Sequence, residues 1–162
     1  MQARDLSHYN FVLSLKLQIT NSNQQQAINL SNNNLVELES DKNSLKDATS
    51  LLELNVSFNR LSRLPANLVH LQSLVHLNLS NNFLSELFPV LFELTNLKLL
   101  NADNNPISCI PNEIIKLTNL EELTLTHTEI DALPDNQETR TFVLQVGWKF
   151  TPLLNIIDVI DT

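Results

Sequence analysis

The same pattern of apolar residues returns at a fixed interval along most of this chain, and this repeat limits the fold more than any other feature. One copy consists of Leu51, Leu54, Val56, Asn59, Leu61, Leu64 and Pro65. Adding 23 to each number gives three further copies in one register, and an upstream copy lies at Ile28, Leu30, Asn33, Leu35 and Leu38. The upstream step is three residues longer, because the polar segment 39–44 is longer there. The chain is therefore predicted to repeat one supersecondary unit.

Each copy combines the spacing of a strand with the spacing of a helical turn. Leu54 and Val56 are two residues apart, as the inward residues of a short strand are. Leu64, Leu68 and Leu71 follow at steps of four and three, as on one face of a helix. A single copy buries little apolar surface, whereas stacked copies form a parallel sheet on one side and a helical layer on the other. The repeat therefore predicts a solenoid.

Asparagine and proline occupy fixed places in the repeat. An asparagine stands where the chain leaves the strand, at Asn33, Asn59, Asn82 and Asn105. Its amide is predicted to bond buried backbone groups of its own turn and of the adjacent turn, for which a leucine has no suitable atoms. Proline presets φ where the helical side begins, at Pro65, Pro111 and Pro134, and one place later in its copy at Pro89.

The unit L-x-x-L-x-L-x-x-N-x-L-x-x-L-P resembles that of intracellular leucine-rich-repeat proteins of the Ras-suppressor-like group, over about residues 25–134. The resemblance implies an α/β fold, namely a leucine-rich-repeat solenoid in a short right-handed horseshoe arc. Its parallel concave β-sheet is expected to have about five or six strands, and its convex side to be helical or 3₁₀. For function, the resemblance implies a concave face that binds proteins, with small GTPases or phosphatase complexes as the expected classes of partner.

The repeats divide the chain into three parts. Residues 1–24 are predicted to be an N-terminal cap and connector, residues 25–142 the five repeat units, and residues 143–162 a degenerate repeat and C-terminal cap. Segment 5–19 fits either a helix or a strand, because its apolar residues match both spacings. One further step of the same length predicts a sixth strand through Gln145, Gly147 and Lys149, with Trp148 as a bulky plug in place of an inward leucine.

Composition argues against several classes of site. The one glycine, Gly147, rules out a glycine-rich phosphate loop, and the one cysteine, Cys109, has no partner for an intramolecular disulfide. The first residues lack the pattern of a signal peptide, and no apolar stretch is long enough to cross a membrane. We therefore expect a cytoplasmic protein that has no cofactor and does not bind a membrane.

The net charge of −8 is unevenly distributed along the chain. Residues 1–100 hold seven Lys/Arg and eight Asp/Glu, whereas residues 101–162 hold three and ten. An acidic C-terminal half disfavours nucleic acid, whose phosphates have the same sign of charge. It favours a protein partner with a basic surface, mainly by raising the association rate. The alternative is a solvated acidic surface that serves solubility alone.

Candidate binding residues are the strand residues that alternate with the inward ones, because they point to the concave face. Most are small and polar, as in Asn55 and Ser57 and their equivalents, and these are interpreted as regular parts of the repeat. The exceptions are predicted to bind the partner: Glu53, Phe58, His76, Leu99, Asp103, Glu122 and His127. The aromatic and apolar members are the predicted anchors, and the charged members the source of charge complementarity. The alternative for Phe58 is packing against its own neighbours.

Neither catalysis nor metal binding is predicted. Ser80, Asp103 and His127 lie in successive repeats, but the aspartate stands between the other two and no glycine turn supplies an oxyanion hole. His76 and His127 are two strands apart, about 10 Å, and no cysteine pair accompanies them.

The sequence thus predicts a non-enzymatic protein-protein interaction module, with the role of a signalling scaffold or regulator, that is a monomer or a subunit of a complex. Two alternatives stay open. One is a microbial effector that uses the same face, and the other is an assembly subunit that docks through its apolar C-terminal end, residues 153–159.

Overall fold

A computed structural model describes residues 3–5, 26–38, 45, 48–146 and 149–150. These residues form one parallel sheet of seven strands that lie in chain order. The strands are β1 (Ala3–Asp5), β2 (Ala27–Asn29), β3 (Glu53–Asn55), β4 (His76–Asn78), β5 (Leu99–Asn101), β6 (Glu122–Leu125) and β7 (Lys149–Phe150). The five predicted repeats supply β2 to β6, and β1 extends the expected five or six strands at the N-terminal edge. Strands that pair only with their neighbours in sequence are typical of a solenoid.

Strand pairing follows the repeat period. Leu54 pairs with Leu77 and Leu77 with Leu100, so equivalent residues of successive copies are neighbours in the sheet. These inward leucines are buried and belong to one core cluster that contains residues from Ile28 to Val146. The spacing of two therefore predicted the inward positions correctly, and the residues between them face the concave side.

Short 3₁₀ helices form the opposite side of the solenoid: η1 (Ala66–His70), η2 (Pro89–Glu93) and η3 (Asn112–Lys116). Pro65 and Pro111 directly precede η1 and η3, with φ of −76° and −74°. Pro89 is instead the first residue of η2, where its missing N–H is not needed by the helix. The helical side buries apolar residues at the predicted positions, among them Leu68, Leu91 and Ile114.

The last helical element differs from the others. It is an α-helix of nine residues, α1 (Gln137–Gln145), whereas each 3₁₀ helix has five. Asn136 caps it, because its Oδ1 accepts the backbone N–H of Thr139 at 3.0 Å. An α-helix rises about 1.5 Å per residue and a 3₁₀ helix about 2.0 Å, so the α-helix takes up more residues for the same length.

The longer helix shifts the strand that follows it. β7 pairs Lys149 with Thr124, so this step is two residues longer than the regular period. The predicted register of a sixth strand through Gln145 and Lys149 is therefore wrong, and Gln145 is the last residue of α1. The extra residues of the α-helix account for the shift.

A ladder of buried asparagines joins consecutive turns. The Nδ2 group of Asn82 donates to the carbonyl of Leu79 in its own turn and to that of Val56 in the preceding turn, each at 3.0 Å. Its Oδ1 accepts the backbone N–H of Leu61, also from the preceding turn, at 3.0 Å. Equivalent bonds are made by Asn59 and Asn105. The predicted role is confirmed for Asn59, Asn82 and Asn105, because each amide satisfies backbone groups of two turns where water is excluded. The Nδ2 group of Asn33 donates to the carbonyls of Leu30 and Ser31 in its own turn.

The ladder ends at Thr128, which takes the place of the next asparagine. Its Oγ1 donates to the carbonyl of Leu125 in its own turn at 2.9 Å, and a hydroxyl has no second proton for the preceding turn. The backbone N–H of Ile107 bonds to the carbonyl of Asn105 at 2.8 Å, whereas its equivalents in earlier turns donate to an asparagine Oδ1. The departure of the sequence from its motif thus has a direct structural counterpart.

Three expectations lie outside the described residues. They are the choice between helix and strand for residues 6–19, the plug formed by Trp148, and the cap or docking role of residues 153–159. Among the helices that the structure describes, none is both long enough and apolar enough to cross a membrane.

We expect Asn82→Ala to lower the free energy of unfolding by about 3 kcal/mol, because it leaves the Leu61 N–H and two buried carbonyls without their partner. The matched control is Asn96→Ala, whose Nδ2 makes one exposed bond to the carbonyl of Gln72. That control is expected to change stability by less than about 0.5 kcal/mol. Urea unfolding of both variants measures the difference, and equal losses would contradict the ladder's role.

Candidate functional site

Four of the predicted binding residues form a continuous line across the concave face. The sheet register pairs Glu53 with His76, His76 with Leu99, and Leu99 with Glu122. We call these four residues the concave row. With strands about 4.8 Å apart, the concave row is about 14 Å long. It places one carboxylate at each end and an imidazole and an apolar side chain between them, and all four residues are at least partly exposed.

A recess of about 290 Å³ lies over the first part of the concave row, and Glu53, His76 and Leu99 line it. Glu53 Oε1 and His76 Nδ1 are 3.6 Å apart, and the two side chains are 42% and 49% exposed. A single side chain of a partner fits such a recess, which offers it a carboxylate, an imidazole and an apolar contact.

The asparagines beside the concave row have a structural role. The Oδ1 atoms of Asn55 and Asn78 accept the backbone N–H groups of Ser57 and Ser80 at 3.0 Å. Such a bond fixes the turn that follows the strand. This agrees with the interpretation of these residues as regular parts of the repeat.

Asp103 supplies a bond that the repeat loses at β6. In β6, Thr124 stands where strands β2 to β5 have an asparagine. Its buried Oγ1 has no hydrogen-bond partner in the part of the chain that the structure describes. The backbone N–H of Thr126 is accepted instead by Asp103 Oδ1, from the preceding turn, at 2.6 Å. The carboxylate of Asp103 therefore stabilises a turn, whatever it contributes to binding.

Phe58 and His127 occupy a left-handed backbone position. Their φ values are 54° and 56°, and the other residues of the described chain with positive φ are the equivalent Asn32, Asn81 and Asn104. Asparagine tolerates this conformation, whereas a bulky residue is strained in it by roughly 1–2 kcal/mol. Phe58 is also 54% exposed, so burial of its ring offsets little of that strain. A residue that is both strained and exposed points to a use outside the fold.

The predicted binding residues therefore fall into two surfaces. The concave row is one of them. Phe58 and His127 belong to the other, the loop edge, which we define as the residues from 58 to 60 and their equivalents in each turn. On this edge the two aromatic side chains are three turns apart, about 14 Å. Asp103 lies near both surfaces, in the turn after β5.

Sequence reasoning missed most of the apolar surface of the loop edge. The most exposed large apolar residues of the described chain are Val36, Phe58, Phe83 and Leu144, and the first three lie on or beside this edge. Phe83 has a readable signal, because its equivalents in adjacent turns are Arg60 and Pro106 and no core position places an apolar residue there. The change of charge along the edge, from Arg60 to Glu129, is the more visible signal in the sequence.

Two neighbouring acidic residues of the sheet differ in their position. Glu121 forms an ion pair with Lys98 at 2.7 Å, and the two side chains are 67% and 50% exposed. Glu122, the next residue, belongs to the concave row itself. The negative charge of the concave row therefore comes from Glu53 and Glu122.

Comparison with known proteins agrees with this architecture. A leucine-rich-repeat family model matches residues 72–130. A search of curated proteins gave no match. Among solved structures, internalin C2 of Listeria monocytogenes is similar with a TM-score of 0.60 and 24% identity, over 79% of this chain and 62% of internalin C2.

Two further structures are similar to this chain. A leucine-rich-repeat protein of Leptospira interrogans has a TM-score of 0.57 and 27% identity, over 76% of this chain and 36% of that protein. Internalin F of Listeria monocytogenes has a TM-score of 0.58 and 19% identity, over 81% and 42%. This chain thus spans less than two thirds of the length of each of the three.

These matches and the strand topology define the fold as a leucine-rich-repeat solenoid in a horseshoe arc. Leucine-rich-repeat domains are in general protein-interaction modules and typically have no catalytic activity. The class of protein follows from the repeat.

We expect Asp103→Ser to lower the free energy of unfolding by about 1.5 kcal/mol in the wild-type background, because the N–H of Thr126 loses its acceptor. In a Thr124→Asn background the loss is expected to be below about 0.5 kcal/mol, since the introduced asparagine would cap that N–H as Asn101 caps its own turn. A double-mutant cycle by urea unfolding measures this coupling. The same loss in both backgrounds would contradict the assigned bond.

We expect Phe58→Asn to raise the free energy of unfolding by about 1 kcal/mol, because asparagine tolerates the left-handed position. The reverse change, Asn81→Phe at the equivalent position of the next turn, is the matched comparison and is expected to lower it by a similar amount. Thermal unfolding of both variants tests this. If Phe58→Asn destabilises the protein, the ring packs in the fold and is not a strained surface residue.

Proposed function

We propose that this chain is a non-enzymatic protein-interaction module that binds one partner through the concave row. The observation that carries the proposal is the alignment of Glu53, His76, Leu99 and Glu122 in one register, with a recess of about 290 Å³ over part of it. The adjacent asparagines have their Oδ1 atoms engaged in their own turns. Because interface energy is concentrated in a few side chains, the concave row is the natural centre of such an interface.

The concave row suits a partner with a basic surface. Its two carboxylates are about 14 Å apart with an apolar side chain between them, so two cationic side chains that flank an apolar one match it. Arginine suits the recess at Glu53 well, because its guanidinium pairs with a carboxylate through two hydrogen bonds. A partner that extends beyond the sheet would also contact Phe58, Asp103 and His127, which we place at the periphery of the interface.

A catalytic role finds little support in the same residues. Ser80 is 6% exposed, so its hydroxyl is a poor nucleophile for an external substrate. Asp103 Oδ1 accepts the N–H of Thr126 at 2.6 Å, which gives this carboxylate a role in the turn. Ser80 and Asp103, two of the three residues that superficially resemble a hydrolase triad, are thus parts of the repeat structure.

The wider role that we propose is a cytoplasmic scaffold or regulator of signalling, of the Ras-suppressor-like group. The only cysteine of the chain, Cys109, is exposed, and an exposed thiol suits a reducing compartment. A microbial effector is the second candidate, because the similar structures come from two bacteria. Both candidates use the concave row, and they differ in the organism that supplies the partner.

Affinity capture from the source cell, followed by titration of the captured partner, tests the concave row. Glu53→Lys with Glu122→Lys is expected to weaken binding by at least tenfold, because like charges then face a basic partner. The matched control is Glu86→Lys, an exposed glutamate outside the concave row, which should leave affinity within about twofold. A partner that binds the row variant as tightly as the control would overturn the proposal.

A further inference from the structure

One row of the loop edge has a positive charge at one end, a negative charge at the other end and two apolar residues between them. In four successive turns the row consists of Arg60, Phe83, Pro106 and Glu129, and its uncharged equivalent in the first turn is Asn34. Equivalence of these positions is seen in the backbone, because the N–H groups of Arg60, Phe83 and Glu129 donate to the preceding turn at Leu35, Leu61 and Ile107, at 2.8–2.9 Å. The order is a cation, two apolar residues and an anion.

These four residues are available for contact with another molecule. Phe83 is 59% exposed, Arg60 and Glu129 are exposed, and Pro106 is half-buried. Neither Arg60 nor Glu129 has an ionic partner among the described residues, unlike neighbouring Arg63, which pairs with Glu37 at 2.8 Å. Pro106 has no N–H, so it cannot make the hydrogen bond to the preceding turn that Phe83 and Glu129 make.

We propose that this edge binds a second copy of the same chain, with the two solenoids side by side and their repeat directions antiparallel. A two-fold axis between the turns of Phe83 and Pro106 brings Arg60 of each copy to Glu129 of the other. The same axis places Phe83 of each copy on Pro106 of the other. An isologous contact needs a self-complementary surface, and this row has one.

Charge selects the antiparallel arrangement over the parallel one. In a parallel pair the equal residues would meet, so that Arg60 faces Arg60 and Glu129 faces Glu129, and this repulsion disfavours it. The antiparallel axis also brings together the residues with left-handed backbone, the first turn of the row in one copy facing the last turn of the row in the other. Phe58 of one copy then faces His127 of the other, which gives the strained and exposed ring an aromatic neighbour.

In the proposed dimer, the apolar side chains contribute most of the affinity and the charged side chains determine the orientation of the two copies. Exposed ion pairs contribute little to affinity, so the paired Phe83 and Pro106 side chains supply most of the attraction. A row only about 14 Å long makes a small interface, and we expect a dimer that dissociates on dilution. Both concave faces open to the same side in this dimer. It would therefore present two copies of the concave row to a bivalent partner, but it does not depend on the proposed function.

Sedimentation of the full chain over a range of concentrations tests the dimer. The wild type is expected to approach twice its mass of 18.4 kDa at high concentration. Arg60→Glu and Glu129→Arg are each expected to raise the dimer dissociation constant at least tenfold, because each creates two like-charged contacts. Glu53→Lys, on the concave row, is the matched control that should leave the dimer unchanged. Circular dichroism establishes that every variant is folded.

Mixing the two single variants gives the decisive result. One chain then has Glu at both positions and the other Arg at both, so a heterodimer restores two opposite-charge contacts although neither variant dimerises alone. The double variant Arg60→Glu with Glu129→Arg should dimerise with itself again. A wild type that keeps the mass of one chain at all concentrations, single variants that dimerise like the wild type, or a mixture that stays monomeric would each overturn the proposal. Loss of the dimer on Arg60→Glu but not on Glu129→Arg would show that these two residues do not pair across the contact, and would also overturn it.

Discussion

Consecutive turns of this solenoid are held together by buried asparagine side chains, each of which hydrogen-bonds to the backbone of its own turn and of the preceding turn. Each strand has only two to four residues, so the chain must leave the sheet and turn within the core at every repeat. Backbone groups in those turns have no strand or helix to satisfy them, and leaving them unbonded costs about 1–3 kcal/mol each. Asn59, Asn82 and Asn105 satisfy them in pairs of turns, which fixes one turn on the next and holds the open face of the sheet in place.

Function is expected where the sequence departs from this regular pattern, but the departures are of two kinds. Asp103 and Thr124 depart together, and one compensates for the other through a single bond to Thr126. Phe58 has no such compensation, since its backbone is left-handed and its ring is exposed. A departure from the motif that another residue compensates for is weak evidence of a binding surface. A departure that leaves an exposed residue strained is stronger evidence. This distinction separates structural residues from candidate binding residues on a surface where sequence spacing alone gives no such distinction.

The sequence predicted the fold well because its leucines and asparagines recur at the period of the structural repeat. Inward residues such as Leu54 and Leu77 and the amide bonds of Asn82 follow from spacing and from the atoms that a side chain offers. The register of β7 did not follow, since spacing does not reveal that residues 137–145 form an α-helix where earlier turns use 3₁₀ helices. The concave row was also predictable, but the bond of Asp103 was not, because it depends on which backbone groups neighbouring turns leave unsatisfied.

Hydrogen exchange of the asparagine side-chain amides, followed by NMR, tests whether these amides hold consecutive turns together. We expect the Nδ2 protons of Asn59, Asn82 and Asn105 to exchange far more slowly than those of Asn96 and Asn119, each of which makes one exposed bond to a single carbonyl. Their exchange should be limited by opening of the solenoid. Rates for the buried asparagines that match those of Asn96 and Asn119 would contradict it, because the turns would then not be held together by these amides.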